Sequence, residues 1–270
     1  MYLKSLRATF KRKFITMLRA YPMAFFIGNL TTVIYTVLGA YFMYTLMFKG
    51  QLSETFVKHA GTVDYMTYVI VGSLAYTLVV KTLLNVSRSL ITELREGTLE
   101  SLLIAPFSRL GYFSGTMLHH TVMAMGEMAF SIAICALFGL NISNINIATF
   151  LIGLVLSLYC YFGLSMCLGA VMLYTRDTYI SQNTLFMIIF LVCGVVFPVE
   201  YLPSGLRVFS EILPVSDAIN VLRASVISGV GASALSGTYL KMFVMGSVYF
   251  TVGYKSIRRI ENIALEKIFG

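Results

Sequence analysis

The sequence predicts an all-α integral membrane protein with six transmembrane helices. Hydrophobic residues make up 58% of the 270 positions and charged residues only 12%, whereas a soluble domain has roughly 45–50% apolar and about 25% charged residues. Several apolar runs reach the ~20 residues that a helix needs to cross the hydrocarbon of a bilayer. Basic residues cluster at the chain ends and beside these runs. We therefore expect one transmembrane domain over residues 1–270 and no separate soluble domain.

The first segment, residues 1–22, is expected to form an amphipathic helix on the membrane surface. Leu3, Leu6, Phe10 and Phe14 recur at helical spacing on one face. Basic residues occupy much of the remaining surface: Lys4, Arg7, Lys11, Arg12, Lys13 and Arg19. A helix of this kind lies among the headgroups of an anionic leaflet. A secretory signal peptide fits less well, because the basic region is too long and no small-residue cleavage site follows it.

The apolar runs that follow place six spans between residues 23 and 254. Their predicted bounds are 23–48, 65–87, 112–140, 147–174, 179–197 and 235–254. Residues 255–270 are expected to be a cytoplasmic tail. An even number of spans puts both termini on the same side of the membrane.

The distribution of Lys and Arg sets the orientation. With both termini inside, 14 basic residues fall on cytoplasmic segments: Lys4, Arg7, Lys11, Arg12, Lys13, Arg19, Arg88, Arg95, Arg109, Arg176, Lys255, Arg258, Arg259 and Lys267. Only 4 fall outside: Lys49, Lys58, Arg207 and Arg223. Lys81 and Lys241 lie inside or near span ends and were not counted. The positive-inside rule then predicts a multi-pass protein of the cell (inner) membrane with both termini cytoplasmic.

Residues 198–232 predict two short helices rather than a span or a solvated loop. Pro198, Pro203 and Pro214 divide the region, and Ser216 can cap the second helix. Each piece is too short to cross the bilayer and too apolar for an exposed loop. We expect a re-entrant hairpin in the outer leaflet, where surrounding protein buries its backbone.

The polar segment 95–106 separates the second and third predicted spans on the cytoplasmic side. Glu93, Glu96 and Glu100 lie three and four residues apart, so a continuous helix would place them on one face. The opposite face would be apolar and formed by Leu99, Leu102 and Leu103. A short helix with one acidic and one apolar face is a docking element for another protein. The alternative is a solvated loop with incidental charges.

Three stretches resemble the type-2 ABC exporter permeases. The pattern E-x-x-x-G-T-L-E-S-L-L-x-A-P-x-S-R runs from Glu93 to Arg109 and resembles a cytoplasmic stretch of that family. Leu168–Gln182 resembles the connection between its fourth and fifth spans, and Val196–Arg207 its outer hairpin. The order of these motifs and the predicted topology also agree, so the resemblance covers essentially the whole chain.

The resemblance implies that segment 95–106 is a coupling helix that fits a groove on a separate nucleotide-binding subunit. The residues implied in coupling are Glu93, Glu96, Gly97, Thr98, Leu99, Glu100 and Leu103, with Arg176 and Asp177 as a smaller second contact. The chain has no G-x-x-x-x-G-K-[ST] phosphate loop. We therefore expect a permease subunit that is not an enzyme and holds no cofactor, with ATP and Mg on a partner ABC ATPase. Six spans per chain imply a second permease chain, most simply in a homodimer.

Candidate pathway residues lie in the spans and in the outer hairpin. Glu127 falls near the middle of the third span, where an ionisable group costs about 3 kcal/mol to insert. It contacts substrate or a gate, or it forms a structural hydrogen bond to a neighbouring Ser, Thr or Tyr. Tyr35 and Tyr41 either anchor the first span at the interface or line a pathway. The family's outer hairpin makes Pro198, Glu200 and Pro203 candidate gate residues.

The sequence gives little support for a metal site, a reactive cysteine pair or a nucleic-acid-binding surface. Adjacent His119 and His120 point to different helix faces, and no H-E-x-x-H motif occurs, so no metal site is expected. The four cysteines, Cys135, Cys160, Cys167 and Cys193, fall inside apolar runs without a C-x-x-C pair. A basic patch on a soluble surface, which nucleic-acid binding requires, is missing from the sequence.

The favoured function is ATP-driven export of an amphipathic, drug-like or lipid-like substrate. One alternative is export of a glycan or lipid-linked polymer by the same architecture. Alternatives of another class are an ATPase-independent channel or secondary transporter and a membrane-embedded enzyme. An enzyme would need paired polar residues at one depth, and the lone Glu127 gives it little support.

Overall fold

The computed structural model describes most of the chain. The described residues are 1–20, 22–47, 49, 54–60, 62, 64–105, 108–137, 140, 143–176 and 183–269. Within their helices, the side chains at 22, 24–26, 29, 30, 32, 33, 36, 47, 55, 103, 261 and 263–269 lie outside the description. Every regular element among the described residues is helical, in agreement with the predicted all-α fold.

Thirteen α-helices follow one another along the described chain. They are α1 (Tyr2–Ala20), α2 (Pro22–Phe42), α3 (Glu54–Ala60), α4 (Tyr65–Val79), α5 (Asn85–Ser87), α6 (Ser89–Arg95), α7 (Leu99–Ile104), α8 (Arg109–Ala136), α9 (Ile147–Thr175), α10 (Leu185–Val192), α11 (Ser204–Ile212), α12 (Pro214–Ile227) and α13 (Ser236–Phe269). The π-helical turn Met43–Met47 extends α2, and the π-helical turn Val80–Leu84 joins α4 to α5.

Three helical segments of the described chain are long and apolar enough to cross a membrane. They are Tyr65–Ser87, Arg109–Ala136 and Ile147–Thr175. Their bounds agree within a few residues with three of the predicted spans. Each starts at a side-chain cap that accepts a hydrogen bond from a backbone N–H three residues later, and the caps are Asp64, Ser108 and Asn146.

One of the predicted span boundaries is wrong, and another prediction concerns a segment that is helical. The helix predicted over 179–197 ends with α10 at Val192, because Gly194 has a φ of +75° and breaks the helical path. Residues 177–182, at its predicted start, lie outside the described residues. The helix α13 continues without a break to Phe269, so residues 255–269 are helical, and the cytoplasmic location of the tail at 255–270 stays a prediction.

The proline-rich region forms two short helices, as its sequence predicts. Pro203 precedes α11, and Pro214 occupies the first turn of α12, where its missing N–H costs nothing. The hydroxyls of Ser210 and Ser216 lie 2.8 Å apart and tie the two helices together.

Close packing of α9 against α13 forms the largest interface of the fold. A Cβ atom at Gly163 would lie 2.6 Å from the backbone nitrogen of Phe250, and one at Gly253 would lie 2.8 Å from that of Cys167. The thiol of Cys160 donates to the Met242 carbonyl at 3.0 Å. Small residues on both helices therefore let the two backbones approach closely.

The helices give the bundle two distinct ends. At one, the α1 end, α1 packs along the beginning of α8 near α6 and α7. At the other, the α12 end, the backbone N–H of Asn146 donates to the Ser225 carbonyl at 2.8 Å, so α12 lies beside the beginning of α9. Functional candidates occur at both ends.

Candidate functional site

A tight turn separates α6 from α7. The backbone N–H of Gly97 donates to the Leu94 carbonyl (3.2 Å) and that of Thr98 to the Glu93 carbonyl (2.9 Å). This hydrogen-bond pattern is a Schellman helix end. Gly97 has a φ of +71°, which glycine adopts without a steric penalty. The chain therefore leaves one helix and begins another within segment 95–106.

The turn shows that the expectation of one acidic helical face was wrong. Glu93 is buried in α6, whereas Glu96 and Glu100 are exposed beyond it. Leu99 is buried beneath the turn. The side chain of Leu103 lies outside the described residues.

An exposed surface remains at the turn and along α7, and we call it the α6–α7 tip. Its residues are Glu96, Gly97, Thr98, Glu100, Ser101 and Ile104. Ile104 is 64% exposed, so an apolar side chain stands beside the two carboxylates of the tip.

Glu93 fixes the base of this tip to α1 and α8. Its carboxylate forms an ion pair with Arg12 of α1 and accepts hydrogen bonds from the hydroxyls of Tyr112 (3.0 Å) and Thr98 (2.6 Å). Burial alone would raise the pKa of Glu93, but the hydrogen bonds from Thr98 and Arg12 outweigh burial and lower that pKa. Glu93 is therefore an internal cross-link rather than an exposed docking residue.

The contact between α1 and α8 is close enough to exclude larger residues. A Cβ atom at Gly111 would lie 2.8 Å from the Tyr2 carbonyl oxygen, and one at Gly115 would lie 2.5 Å from the Leu6 carbonyl oxygen. The hydroxyl of Ser5 accepts a hydrogen bond from the backbone N–H of Ser108 at 3.0 Å. The first turns of α8, the tip and α1 therefore form one tightly joined unit.

A cavity of about 270 Å³ lies beside the Arg12–Glu93 pair. Its lining residues are Arg12, Lys13, Thr16, Met17, Thr92, Glu93, Glu96, His119 and His120. Lys13 is partly buried there, and burial lowers the pKa of its ammonium group.

The predicted second contact lies at the end of α9. Arg176 is exposed and adopts a left-handed backbone conformation with a φ of +56°. Asp177, its predicted neighbour in this contact, lies outside the described residues.

Glu127 has an oppositely charged partner that the sequence analysis missed. Its Oε2 lies 2.7 Å from Nζ of Lys81, which belongs to the π-helical turn Val80–Leu84. Glu127 is buried, whereas about a third (32%) of the Lys81 side chain is exposed. Single π-helical turns are frequent at functional sites. Both residues were visible as charges inside predicted spans, and pairing them by opposite sign would have found the contact.

At the α12 end, Arg223 of α12 is a further candidate residue, which its position in the sequence did not indicate. It is buried, and its guanidinium donates to the Tyr68 hydroxyl (2.9 Å) and to the carbonyls of Gly194 (3.0 Å) and Val195 (2.9 Å). The guanidinium also lies 3.7 Å from the centroid of the Tyr68 ring. The sequence shows Arg223 as one of two arginines in the predicted outer hairpin, with Arg207, and nothing in the local pattern indicates which of the two is buried.

A cavity of about 260 Å³ opens next to Arg223. Its lining residues are Lys58, His59, Ala60, Tyr68, Pro198, Glu200, Asn220, Arg223, Ala224, Ile227 and Ser228. Two of the candidate gate residues, Pro198 and Glu200, therefore lie at this cavity. The third, Pro203, caps α11 and does not line it.

A family model described as ABC-2 type transporter matches residues 4–227. This chain belongs to the ABC-2 transporter family. No curated protein matches the chain. The protein is therefore a membrane-embedded permease subunit of an ABC transporter, and the permease itself is not the catalytic component. Membership of the family implies an ABC ATPase partner in general terms.

Tyr35 and Tyr41 of this permease lie on the outside of α2. Their side chains are 74% and 54% exposed, and the Tyr41 ring contacts that of Phe42 edge to face. Neither tyrosine lines the cavities at the α1 and α12 ends. Both roles, an interfacial anchor and a pathway lining, therefore stay predictions.

The described part of the permease contains no cluster of three or more His, Cys, Asp or Glu side chains that could hold a metal ion. His119 and His120 contact each other, with ring centroids 5.0 Å apart, and His119 also contacts Phe10 and Phe14 edge to face. The family carries no cofactor of its own.

Proposed function

We propose that this permease is the transmembrane subunit of an ATP-driven exporter that moves an amphipathic, drug-like or lipid-like substrate outward. ATP and Mg would bind to a separate ABC ATPase, which would contact the α6–α7 tip. The observation that carries this proposal is the contrast within the tip. Glu96 and Glu100 are exposed for a partner, while Glu93 anchors the base to α1 and α8.

The proposed arrangement in the membrane has six spans and both termini in the cytoplasm of the cell (inner) membrane. In it, α1 lies on the inner surface, and α11 and α12 form a re-entrant hairpin in the outer leaflet. The excess of Lys and Arg at the α1 end supports this orientation. A second copy of the chain would complete the transport path, as a homodimer.

Transport would then depend on movement of the tip. Closure of the ATPase subunits around ATP would displace the α6–α7 tip, and Glu93 would pass the displacement to α1 and α8. The Lys81–Glu127 pair would couple α8 to the neighbouring π-helical turn. The hairpin around Pro198 and Glu200 would open the path outward. Such a mechanism needs two arrangements of packed helices whose balance ATP shifts.

An apolar cavity of about 160 Å³ supports an amphipathic rather than a glycan substrate. It lies between α4, α8, α9 and α12, and its lining residues are Val71, Leu74, Ala75, Met128, Ile132, Leu140, Ile145, Phe150, Leu222 and Val226. Such a lining favours an acyl chain or another apolar group, whereas a glycan needs polar and aromatic contacts.

The coupling role can be tested by reversing the charge of the tip. In membranes or nanodiscs that contain the permease and its ABC ATPase partner, Glu96→Lys and Glu100→Lys should lower the permease-dependent ATPase rate. We expect a loss of about tenfold for the double variant, because each reversal removes one interfacial charge contact and adds a repulsive one. The readout is ATP hydrolysis with and without the permease.

Glu211→Lys is the matched control, because Glu211 is an exposed glutamate on α11 at the opposite end of the bundle. It should leave ATPase stimulation unchanged. Normal stimulation by a correctly inserted Glu96→Lys/Glu100→Lys double variant would contradict the docking role of the tip.

A further inference from the structure

The cavity at the α12 end contains a buried cation without an acidic partner. No carboxylate among the described residues forms an ion pair or hydrogen bond with Arg223. Its three observed acceptors are two backbone carbonyls and a phenol. A buried charge without a counter-charge is costly in free energy. The arrangement therefore favours an anion in the adjoining cavity.

We propose that this cavity is a binding site for an anionic head group, a phosphate or a carboxylate, with Arg223 at its floor. The Nε of Arg223 is buried and has no hydrogen-bond partner among the described residues. Guanidinium groups bind oxyanions through paired N–H donors. The three hydrogen bonds use one N–H of Nη1 and both N–H groups of Nη2, so the Nε–H and the second N–H of Nη1 are left for a ligand.

Close packing by neighbouring residues holds the Arg223 guanidinium in position at the floor of the cavity. A Cβ atom at Gly72 would overlap both the Arg223 guanidinium and the carbonyl oxygen of Val195. Tyr68 covers the guanidinium with its ring and accepts a hydrogen bond from it. This fixed geometry reduces the conformational entropy that binding would cost.

The rim of the cavity adds positive charge. Lys58 and His59 of α3 are exposed at the cavity, and neither forms an ion pair with a described residue. Among the described residues of the lining, Glu200 is the only acidic one. With Arg223 and Lys58 positive and Glu200 negative, the lining carries a net charge of about +1 with His59 neutral. The rim would therefore attract an anion and exclude a cation.

The head group could belong to a lipid-like substrate that leaves outward or to a phospholipid of the outer leaflet. A role in substrate release rests on the proposed export function, whereas anion binding itself does not. The test therefore uses the permease alone, so that its failure would leave the ATPase coupling of the α6–α7 tip unaffected.

The experiment measures lipid binding to the full-length permease in neutral detergent. Short-chain phosphatidic acid is the anionic probe, phosphatidylcholine the zwitterionic probe, and inorganic phosphate the competitor. We expect phosphatidic acid to bind at least about tenfold more tightly than phosphatidylcholine. A Lys58→Ala/His59→Ala double variant, which changes only exposed rim residues, should lose about tenfold in affinity for phosphatidic acid. Arg223→Lys should weaken binding further, because a lysine keeps the charge but lacks the planar donor set.

Arg207→Gln is the matched control, because Arg207 is an exposed cation on α11 outside the cavity. It should bind phosphatidic acid like the wild type. Displacement of the lipid by millimolar phosphate would identify the anion alone as the ligand, and resistance would show that the acyl chains contribute; both results support the site. Equal affinity for the two lipids, or wild-type affinity in the rim double variant, would overturn the proposal.

Discussion

The two ends of the bundle each bury a charged group, and they satisfy it in different ways. At the α1 end, the Glu93 carboxylate has a cationic partner in Arg12 and two hydroxyl donors. At the α12 end, the Arg223 guanidinium has only carbonyl and phenol acceptors. The first charge is paired within the chain, whereas the second has no opposite charge among the described residues.

The difference indicates what each end is built to do. A paired charge with several hydrogen bonds holds helices together and gives the α6–α7 tip a fixed base. A buried charge that has only neutral acceptors gains further stabilisation when a ligand in the adjoining cavity supplies the opposite charge. We therefore expect changes at Glu93 to act first on the stability of the permease, and changes at the Arg223 cavity to act first on binding.

The largest expected effect is that of Glu93→Ala. It removes three hydrogen-bonding interactions and leaves Arg12 without its partner, so we expect a loss of about 3 kcal/mol in the free energy of unfolding. Thermal unfolding in detergent, followed with a thiol-reactive dye, would measure it, since Cys135, Cys160 and Cys193 are buried.

Glu100→Ala is the control for this prediction, because Glu100 is an exposed glutamate on the same tip. It should not change the unfolding temperature. The lowered pKa of Glu93 adds a pH test: its stabilisation is complete above the ordinary carboxyl range and is lost as pH falls through the lowered pKa. The wild type and Glu93→Ala should therefore differ by a constant amount from pH 8 to about pH 5 and converge in stronger acid. A gap that instead closes on going to alkaline pH would contradict the assignment.

A smaller effect is expected from Gly72→Ala at the α12 end. The added methyl group would overlap the Arg223 guanidinium and the Val195 carbonyl, and such overpacking costs about 2 kcal/mol. Binding of phosphatidic acid should fall with stability, because the floor of the cavity is displaced. Gly39→Ala is the control, since a Cβ atom at Gly39 meets no atom within 4 Å. If Gly72→Ala and Gly39→Ala both keep wild-type stability and wild-type binding of phosphatidic acid, the Arg223 guanidinium is not rigidly held.

The smallest expected effect concerns the Lys81–Glu127 pair. Like Arg12 and Glu93 at the α1 end, these two side chains have opposite charges and pair with each other within the chain. Lys81→Met and Glu127→Gln should each destabilise the permease and lower transport, because each leaves one charge within the spans. The Lys81→Met/Glu127→Gln double variant should recover stability, with a coupling energy of about 1 kcal/mol. Strictly additive losses in thermal unfolding would show that the two side chains do not interact.

Local signals in the sequence predicted much of the helical framework. The long apolar run at 147–174 follows Asn146, whose side chain caps the helix, and the structure has this helix at Ile147–Thr175. The prolines at 203 and 214 likewise separated the two hairpin helices correctly. These features depend on residues close together in the chain, so a single sequence contains them.

The charged contacts could not be predicted in the same way. Arg12 and Glu93 are 81 positions apart, and neither periodicity nor spacing indicates which cation meets which carboxylate. The break at Gly97 was a local signal, but the spacing of the three glutamates suggested a continuous helix and hid it. Glu93 was therefore predicted to face a partner, although it lies inside the protein.

The unbroken course of α13 has a mechanical consequence. With 34 residues, it is about 50 Å long, some 20 Å longer than the hydrocarbon of a bilayer is thick. At Gly253 its backbone lies directly against the backbone of α9, where a Cβ atom would be 2.8 Å from the Cys167 nitrogen and 2.9 Å from the Gly163 carbonyl oxygen, so we expect the two helices to move together. In the proposed six-span arrangement, a small rotation at one end of α13 would become a displacement of several ångströms at its other end, beyond the opposite face of the hydrocarbon.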